Sequence, residues 1–400
     1  KLTWAPSHQA RRGPPSKHMS DGAVPEGASY TDYLLLLAGG PMLWACKASA
    51  YLRPVVDDLS DDEGSDESLW RCVMRDGASL DASAYLRRLG FEDGDDSCRA
   101  VSRGMLDELI KRHVERIPFE NLDVFGSSPS EARTICLAAA YDKVVVRGRG
   151  GLCFELNLLF GWLLRTLGYD ARYQLARVWR LPPGCADVLP PGAEWPCGSL
   201  AAASIRREQA AAWGGVSAPS HILLRVSGLA QQSLLVDVGF GEPPEMALVD
   251  GGDQQDGQHD GRHAFRIVRQ NGLCSLQRQS LGHRGLSGML SPPGAWEPHL
   301  LLDARTSRPT AHFAPGWEWA QSAPDSLFRK QPLCVRVKRD GTKISLAGKA
   351  LKVRGESTTV FDLADAAAFV AAIETHFDIP SDAHVRRAAQ CAFETHAAGE

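Results

Sequence analysis

The chain has 400 residues, of which 44% are hydrophobic, and these supply enough apolar side chains for a sizeable folded core. A chain of this length predicts two or three domains, or one enzyme core enlarged by insertions. Its 44 Lys and Arg residues against 48 Asp and Glu residues give a formal net charge of −4, which argues against a dedicated nucleic-acid-binding protein.

Residues 1–78 differ in composition from the rest of the chain and are predicted to be a variable, disordered leader. The stretch 1–30 is rich in Pro, Gly and Ser, and 57–67 (DDLSDDEGSDE) is dominated by acidic residues, as in solvated linkers. The apolar run 33–46 is shorter than the roughly 20 residues that a membrane-spanning helix needs. We therefore expect no membrane partner and a cytoplasmic protein.

Helices are predicted in the first ordered part of the chain. Asp81 is placed to cap a short helix that ends at Gly90, and a second helix is expected over about 101–115. A third helix is expected to begin at or just before Cys153, to present one continuous apolar face, and to end at Gly168.

The hydrophobic period then changes to that of strands. A strand is predicted over 169–179, followed by three hairpins that pair 221–226 with 233–238, 265–268 with 273–277, and 333–339 with 342–346. Asn271-Gly272 and Asp340-Gly341 are strong turn signals for the second and third hairpins.

A last helix is expected over about 364–377, started by Asp362. Helices, then antiparallel hairpins, then one late helix indicate an α+β fold. Two loop-rich stretches, 181–219 and 250–261, are interpreted as insertions on a smaller core.

One of the ten cysteines, Cys153, stands in a distinctive position. None of the ten belongs to a C-x-x-C pair or a zinc-ligand pattern, so reduced thiols in a reducing compartment are expected. Cys153 follows Gly150-Gly151 at the start of an apolar helix, where free backbone N–H groups and the helix dipole favour a thiolate. A small buried structural cysteine is the alternative interpretation.

His221 and Asp237 are predicted to be neighbours across the first hairpin. They are equidistant from residue 229 at the centre of the turn, and residues opposite each other in an antiparallel pair share one face of the sheet. Asp237 lies in an apolar strand, where a carboxylate needs a partner, and an imidazole supplies one. Cys153, His221 and Asp237 together fit a nucleophile, its base and an orienting carboxylate, although a core histidine satisfied by a carboxylate remains the alternative.

Several segments, in this order, resemble the arylamine N-acetyltransferase family over about residues 80–380. They are 85–90 (YLRRLG), 117–122 (IPFENL), 149–157 (RGGLCFELN), 220–226 (SHILLRV) and 235–241 (LVDVGFG), with a fainter match at 322–328 (SAPDSLF). The RGG-Cys block, the His segment and VDVGFG are the specific ones. Residues 1–78 have no counterpart in the family pattern.

The resemblance implies a fold in three parts around a cysteine-proteinase-like catalytic core. It implies an N-terminal helical bundle at 79–168 that carries the cysteine, and a central antiparallel β-barrel at 169–285 that carries the histidine and aspartate. An α/β lid at 286–380 and a C-terminal tail at 381–400 complete the expected organisation. In the family, the region of the 181–219 insertion borders the substrate pocket.

The resemblance also implies a Cys153–His221–Asp237 catalytic triad and ping-pong acyl transfer through an acyl-cysteine. The acyl group would pass from coenzyme A to the cysteine, and then to the nitrogen of an arylamine, arylhydroxylamine or hydrazine. Acetyl-CoA is the default co-substrate, with propionyl- or malonyl-CoA as alternatives. We expect no tightly bound cofactor and no metal.

Further residues take supporting parts in this interpretation. The resemblance implies an ion pair between Arg149 and Glu120, with Gly150, Gly151 and Asn157 as structural support of the motif. A second group either lines the amine pocket or belongs to the core: Phe119, Gly239, Phe240 and Gly241.

Three alternatives differ from this interpretation. A transglutaminase- or papain-like enzyme shares the order Cys, His, then Asp or Asn, but it leaves the RGG block unexplained. An inactive coenzyme-A-binding relative conflicts with the presence of all three triad residues. His259 and His263, near Asp256 and Asp260, have the spacing of metal ligands on a helix, but they lie in a Gly- and Gln-rich stretch that favours a solvated loop.

Overall fold

The structure is a computed structural model that describes residues 80–92, 100–178, 220–229, 231–251, 256–270, 273–282, 291–302, 313–324 and 326–394. The predicted leader at 1–78 and the predicted insertion at 181–219 lie outside the described residues.

The first described part of the chain is helical, as predicted. It contains α1 (Ala82–Arg88), α2 (Arg103–Arg116), α3 (Leu122–Phe125), α4 (Leu137–Tyr141) and α5 (Cys153–Thr166). The side chain of Asp81 accepts a hydrogen bond from the backbone N of Ser83 at 2.8 Å, and Gly90 has a φ of +78°, which confirms both ends of α1. Helix α2 starts later than predicted because the side chain of Ser102 caps the backbone N of Met105.

Helix α5 is the centre of the principal core and is buried on nearly every side. It packs against α4 on one side and against two barrel strands, β2 (Asp170–Val178) and β3 (His221–Ser227), on the other. Gly161 lies where α5 meets the sheet, and a Cβ there would come within 2.8 Å of the Tyr173 ring. The close approach of helix and sheet therefore depends on a missing side chain.

The central sheet has eight antiparallel strands in the spatial order β5-β4-β3-β2-β9-β8-β7-β6. The remaining strands are β4 (Ser233–Val236), β5 (Leu248–Asp250), β6 (Gln258–His259), β7 (Ala264–Gln270), β8 (Leu273–Gln279) and β9 (Trp296–Leu302). Its two edges approach each other, since the side chain of Gln258 hydrogen-bonds both the N and the O of Val249. The sheet thus curls into a nearly closed barrel, in agreement with the expected barrel.

A second sheet forms the lid, in the order β1-β10-β11-β12-β13. Its strands are β1 (Phe119–Glu120), β10 (Leu333–Val337), β11 (Lys343–Ala347), β12 (Ala350–Arg354) and β13 (Thr358–Asp362). Helices α8 (Ala366–Phe377) and α9 (Ala383–Glu394) share a second hydrophobic core with this sheet. Two further helices, α6 (Ala314–Ser322) and α7 (Leu327–Lys330), precede it. Strand β1 comes from the helical part, so the lid is joined to the first domain through its own sheet.

The expected boundary between barrel and lid at residue 285 is wrong. Strand β9 lies beyond that boundary and pairs with both β2 and β8 inside the barrel sheet. Its sequence contains Pro298, a residue that argues against an interior strand. The strand accommodates this proline because the register with β8 shifts between Leu276 and Gln277, which leaves His299 out of the ladder.

Three other expectations differ from the structure. The stretch 250–261, interpreted as a loop insertion, begins at the end of β5 and contains β6. The stretch 381–400, set apart as a tail, contains helix α9, which packs against α3 and α8. Helix α8 is capped by the side chain of Asp365, not by Asp362, which lies in β13.

Among the described helices, none combines the length and the apolar composition needed to cross a membrane.

Two glycine substitutions test the packing of α5 on the barrel. We expect Gly161→Ala to lower the free energy of unfolding by about 1–3 kcal/mol, because its Cβ meets Tyr173 and Leu224 at under 3 Å. Gly104→Ala in α2 is the matched control, since a Cβ there has no neighbour within 4 Å; it should leave stability unchanged or raise it by up to about 1 kcal/mol. Urea denaturation of both variants measures the difference, and equal effects would contradict the packing argument.

Candidate active site

Cys153 is the first residue of α5 and is 3% exposed. Its Sγ lies 3.9 Å from the carbonyl O of Ser220, the residue before β3. The helix N-terminus directs unpaired backbone N–H groups and the positive end of the helix dipole toward this position. Cys153 therefore lies where backbone N–H groups are free to bind an anion.

His221 and Asp237 form a buried hydrogen bond. The Nε2 of His221 lies 2.6 Å from Oδ2 of Asp237, and both side chains are almost fully buried. The other carboxylate oxygen of Asp237 accepts hydrogen bonds from the backbone N of Gly239 at 2.8 Å and from Nδ2 of Asn157 at 3.0 Å. The aspartate is thus held by three donors, and the predicted contact with His221 is confirmed.

The predicted register of this hairpin is wrong, although the contact is right. Leu224 pairs with Val236 and Arg225 with Leu235, and extending this register to His221 gives an offset of two residues from the predicted pairing with Asp237. Side chains alternate between the faces of a strand, so a two-residue offset keeps both groups on one face. The contact is made diagonally, just beyond the end of β4.

Cys153 and Asp237 both act on the protonation of His221. Burial alone lowers the pKa of His221, but the negative charges of Asp237 and Cys153, with hydrogen bonds to both, outweigh it and raise the pKa to about 10. Since Nε2 is held by Asp237, Nδ1 is the ring nitrogen available to the thiol. The arrangement therefore holds a charged imidazolium beside the cysteine at neutral pH.

Asn157 connects the three elements that carry these residues. It lies one helical turn after Cys153 on the same face of α5. Its Nδ2 donates to the O of Ile222 at 2.8 Å and to Asp237, and its Oδ1 accepts from the N of Val238 at 3.1 Å. The sequence predicts Asn157 as structural support, and the structure gives that support its partners.

Close backbone contacts explain the glycines of both motifs. A Cβ on Gly239 would lie 2.7 Å from the Cα of Cys153, and a Cβ on Gly150 would lie 2.0 Å from the carbonyl O of Pro118. A Cβ on Gly151 would meet the Glu155 carboxylate at 2.9 Å. Gly239, one of the candidates for the substrate pocket, packs its backbone against the start of α5.

The remaining pocket candidates make different contacts. The ring of Phe240 is edge-on to His221, with ring centroids 5.4 Å apart. Phe119 is half-buried and pairs with Phe328 at 6.1 Å between centroids. Gly241 has a φ of +86°, and a Cβ there would lie 3.9 Å from the Phe119 ring. Phe240 is thus the aromatic candidate that touches the histidine.

The ion pair between Arg149 and Glu120 is present, and neither side chain is exposed. Nη2 of Arg149 lies 2.9 Å from Glu120 and 2.8 Å from Asp123, and Nη1 lies 2.8 Å from Asp382. Asp382, beside the start of α9, brings the C-terminal part of the chain to this charge. The sequence did not predict Asp123 or Asp382 as partners.

Lys143 extends this network to the start of α5. It lies in a π-helical turn (Asp142–Val146), and its Nζ is 3.0 Å from the Glu155 carboxylate and 3.5 Å from that of Glu120. Glu155 in turn accepts a hydrogen bond from the backbone N of Leu152 at 2.9 Å. Burial raises the pKa of Glu155, and the charge of Lys143 opposes that rise. Lys143 was not predicted from the sequence. Its position in an apolar stretch was the one local sign that its charge needs a buried partner.

The two histidines that have the spacing of metal ligands make different contacts. Nδ1 of His259 accepts a hydrogen bond from the backbone N of Gly261, whereas His263 is buried with Nε2 3.5 Å from Glu242. His263 is therefore not in a solvated loop, as the sequence suggested. In the described part of the chain, no group of three or more His, Cys, Asp or Glu side chains is placed to hold a metal ion.

The comparisons with known proteins agree with this geometry. A family model described as N-acetyltransferase matches residues 104–187 and 199–385. The arylamine N-acetyltransferase of Mycobacterium bovis is 30% identical over 306 residues, which cover 75% of this chain and 90% of that protein. The chain belongs to the arylamine N-acetyltransferase family.

Other members of the family show the same relationship. A pineal gland isozyme from Gallus gallus, NAT-3, is 28% identical over 296 residues, covering 72% of this chain and 88% of that protein. The structure of the Mycobacterium marinum arylamine N-acetyltransferase in complex with CoA matches with a TM-score of 0.58 and 25% identity, covering 78% of this chain and 98% of that one. These matches favour the acyltransferase interpretation over a transglutaminase- or papain-like enzyme.

Removal of Arg149 tests the buried ion network. We expect Arg149→Ala to lower the free energy of unfolding by about 3–5 kcal/mol and to reduce activity, because it removes the nearest positive charge from buried carboxylates. Glu120→Gln should act in the same direction. Arg387→Ala, which removes an exposed pair with Glu131, is the control and should change the melting temperature little. Unchanged stability in Arg149→Ala would count against the network.

Replacement of Asp237 tests the charge on His221. We expect Asp237→Asn to lower the pKa of His221 from about 10, because the chief opposing charge is lost. In the native protein the raised pKa adds stability that is complete below the unfolded value of about 6.5 and disappears as the pH rises through about 10. NMR titration of labelled histidine, with His221→Gln used to identify the His221 signal, measures the shift. An unaltered pKa would show that Asp237 does not hold the proton.

Proposed function

We propose that this chain transfers an acyl group from acyl-CoA to the nitrogen of an aromatic amine through an acyl-cysteine on Cys153. The observation that carries the proposal is the buried Cys153–His221–Asp237 constellation, with the cysteine at a helix N-terminus and its imidazole held charged. A relative whose structure was solved with CoA supports acyl-CoA as the co-substrate.

The first half-reaction forms the acyl-enzyme. The thiolate of Cys153, whose proton resides on His221, attacks the thioester carbonyl of acyl-CoA. The carbon–sulfur bond to coenzyme A then breaks, and its thiolate leaves with the proton from His221. The negative oxygen of the tetrahedral intermediate is stabilised by backbone N–H groups at the start of α5, that of Cys153 among them.

The second half-reaction reverses the proton path. The amine nitrogen attacks the acyl-cysteine carbonyl, His221 takes the proton that the nitrogen gives up, and the Cys153 thiolate departs. Asp237 orients the ring through Nε2, so that Nδ1 faces the sulfur, and stabilises the positive charge in both steps. Asn157 and the N–H of Gly239 hold the carboxylate in that position.

The acyl group is proposed to be acetyl, with propionyl and malonyl as alternatives. The acceptors are proposed to be arylamines, arylhydroxylamines or hydrazines. The ring of Phe240 against His221 supports an aromatic acceptor site beside the acyl-cysteine, and Phe119 lies near the same loop at Gly241.

The proposal includes a reducing, cytoplasmic location. The five cysteines in the described ranges, Cys136, Cys153, Cys274, Cys334 and Cys391, are free thiols.

The alternative of an inactive coenzyme-A-binding relative is disfavoured because all three candidate catalytic side chains are present and in contact.

Mass spectrometry after incubation with acetyl-CoA tests the proposed function. We expect one acetyl group on Cys153 in the native protein, none in Cys153→Ala, and a normal adduct in the control Cys136→Ala. An unmodified Cys153 with every donor tested would overturn acyl transfer. Acetyl-, propionyl- and malonyl-CoA, each tested against aromatic amines and hydrazides, then define the substrates by the rate of product formation.

A further inference from the structure

The loop 237–242 contacts the candidate catalytic residues on three sides. Its first residue binds His221, and Gly239 lies against the backbone of Cys153 with no room for a Cβ. The ring of Phe240 stands edge-on to His221. The placement of this loop therefore determines how the thiol, the imidazole and the carboxylate lie relative to one another.

The last residue of the loop, Glu242, is buried among positive charges. Its carboxylate lies 2.7 Å from Nζ of Lys343 and 2.9 Å from Nη1 of Arg278. Nη2 of Arg354 lies 3.4 Å away and Nε2 of His263 lies 3.5 Å away. The residue as a whole is 7% exposed, so these contacts form in a largely water-free place.

These four partners come from both sheets. Lys343 and Arg354 belong to β11 and β12 of the lid, whereas Arg278 belongs to β8 and His263 precedes β7 of the barrel. Burial raises the pKa of Glu242, but a hydrogen bond from His263 and the charges of Lys343 and Arg278 outweigh burial and hold the pKa well below its usual range. One ionised carboxylate thus fastens the catalytic loop to barrel and lid together.

A second route connects this cluster to the catalytic histidine. His299, left out of the β8–β9 ladder by the register shift, places its ring 5.3 Å from that of Phe240. The charges that act on His299 are those of the same cluster: Arg278, Glu242, His263 and Lys343. Phe240 is therefore packed between His299 on the cluster side and His221 on the catalytic side.

We infer that Glu242 is a positioning residue for acyl transfer. Its carboxylate anchors the loop 237–242 to the lid and so keeps Asp237 within hydrogen-bond distance of His221. The inference rests on the proposed function of the triad. This role differs from that of an ordinary buried ion pair. Loss of an ordinary pair lowers stability without altering the proton affinity of His221.

The test compares Glu242→Gln with the control Glu245→Gln. Glu245 lies in the same connection and pairs with Arg262, which is not among the four side chains that contact the Glu242 carboxylate. For each variant, NMR titration gives the pKa of His221, rapid-quench mass spectrometry gives the rate of acetyl-cysteine formation, and thermal unfolding gives stability. The groups that face His221 and set its pKa are Cys153 on α5 and Asp237 on the loop.

In Glu242→Gln we expect the pKa of His221 to fall toward its usual value, because Asp237 moves away from the ring. The acylation rate should fall by about 100-fold, the effect expected of a misplacement near 1 Å, with little change in the KM for acetyl-CoA. Glu245→Gln should lower the melting temperature yet retain the native pKa and rate.

A Glu242→Gln variant that loses stability alone, with the native His221 pKa and acylation rate, would overturn the inference. If native protein forms no acetyl-cysteine, the proposed function fails instead, and the NMR comparison still decides the positioning of Asp237. Should Glu242→Gln fail to fold, Lys343→Met removes only a lid partner. That variant should lower the His221 pKa and the rate in the same direction, and unchanged values contradict the inference.

Discussion

The contacts between the domains depend on one buried charge, the guanidinium of Arg149. A charge removed from water is tolerated only when carboxylates surround it, and this chain supplies them from β1, α3 and the residue before α9. These partners bring together the helical part, the lid and the C-terminal helix. Lys143 carries the same network to Glu155, which caps the first turn of the helix that begins with Cys153.

The site itself depends on how closely two backbones approach. Gly239 brings the loop after β4 against the start of α5, and Asn157 closes the gap with hydrogen bonds to β3 and to the loop. This contact places Asp237 within hydrogen-bond distance of Nε2 of His221. The thiol, the imidazole and the carboxylate therefore come from three separate elements, and Asn157 and Gly239 are where those elements meet.

Local sequence signals predicted the elements that carry the site, but not their long-range partners. The Gly-Gly turn and the apolar period placed Cys153 at a helix start, and side-chain alternation put His221 and Asp237 on one face even though the register was wrong. Because the turn type was not known, the pairing of the two strands could shift by two residues and still keep both side chains on the same face. The pairing of Arg149 with Asp382, and of Glu242 with the lid, joins residues more than a hundred positions apart, which no local period encodes. Strand β9 was missed because its proline fits only where the ladder is irregular.

The contribution of Asp382 determines when, during synthesis of the chain, the charge of Arg149 gains all of its partners. Residues enter the growing chain from the N-terminus, and domains fold as they emerge from the ribosome. Arg149 is synthesised long before Asp382, so its buried charge gains this carboxylate only after the strands of the lid that lie between them in sequence have been made. The charge balance at Arg149 therefore depends on a residue that follows the whole lid sheet, and a chain cut before Asp382 would lack that carboxylate.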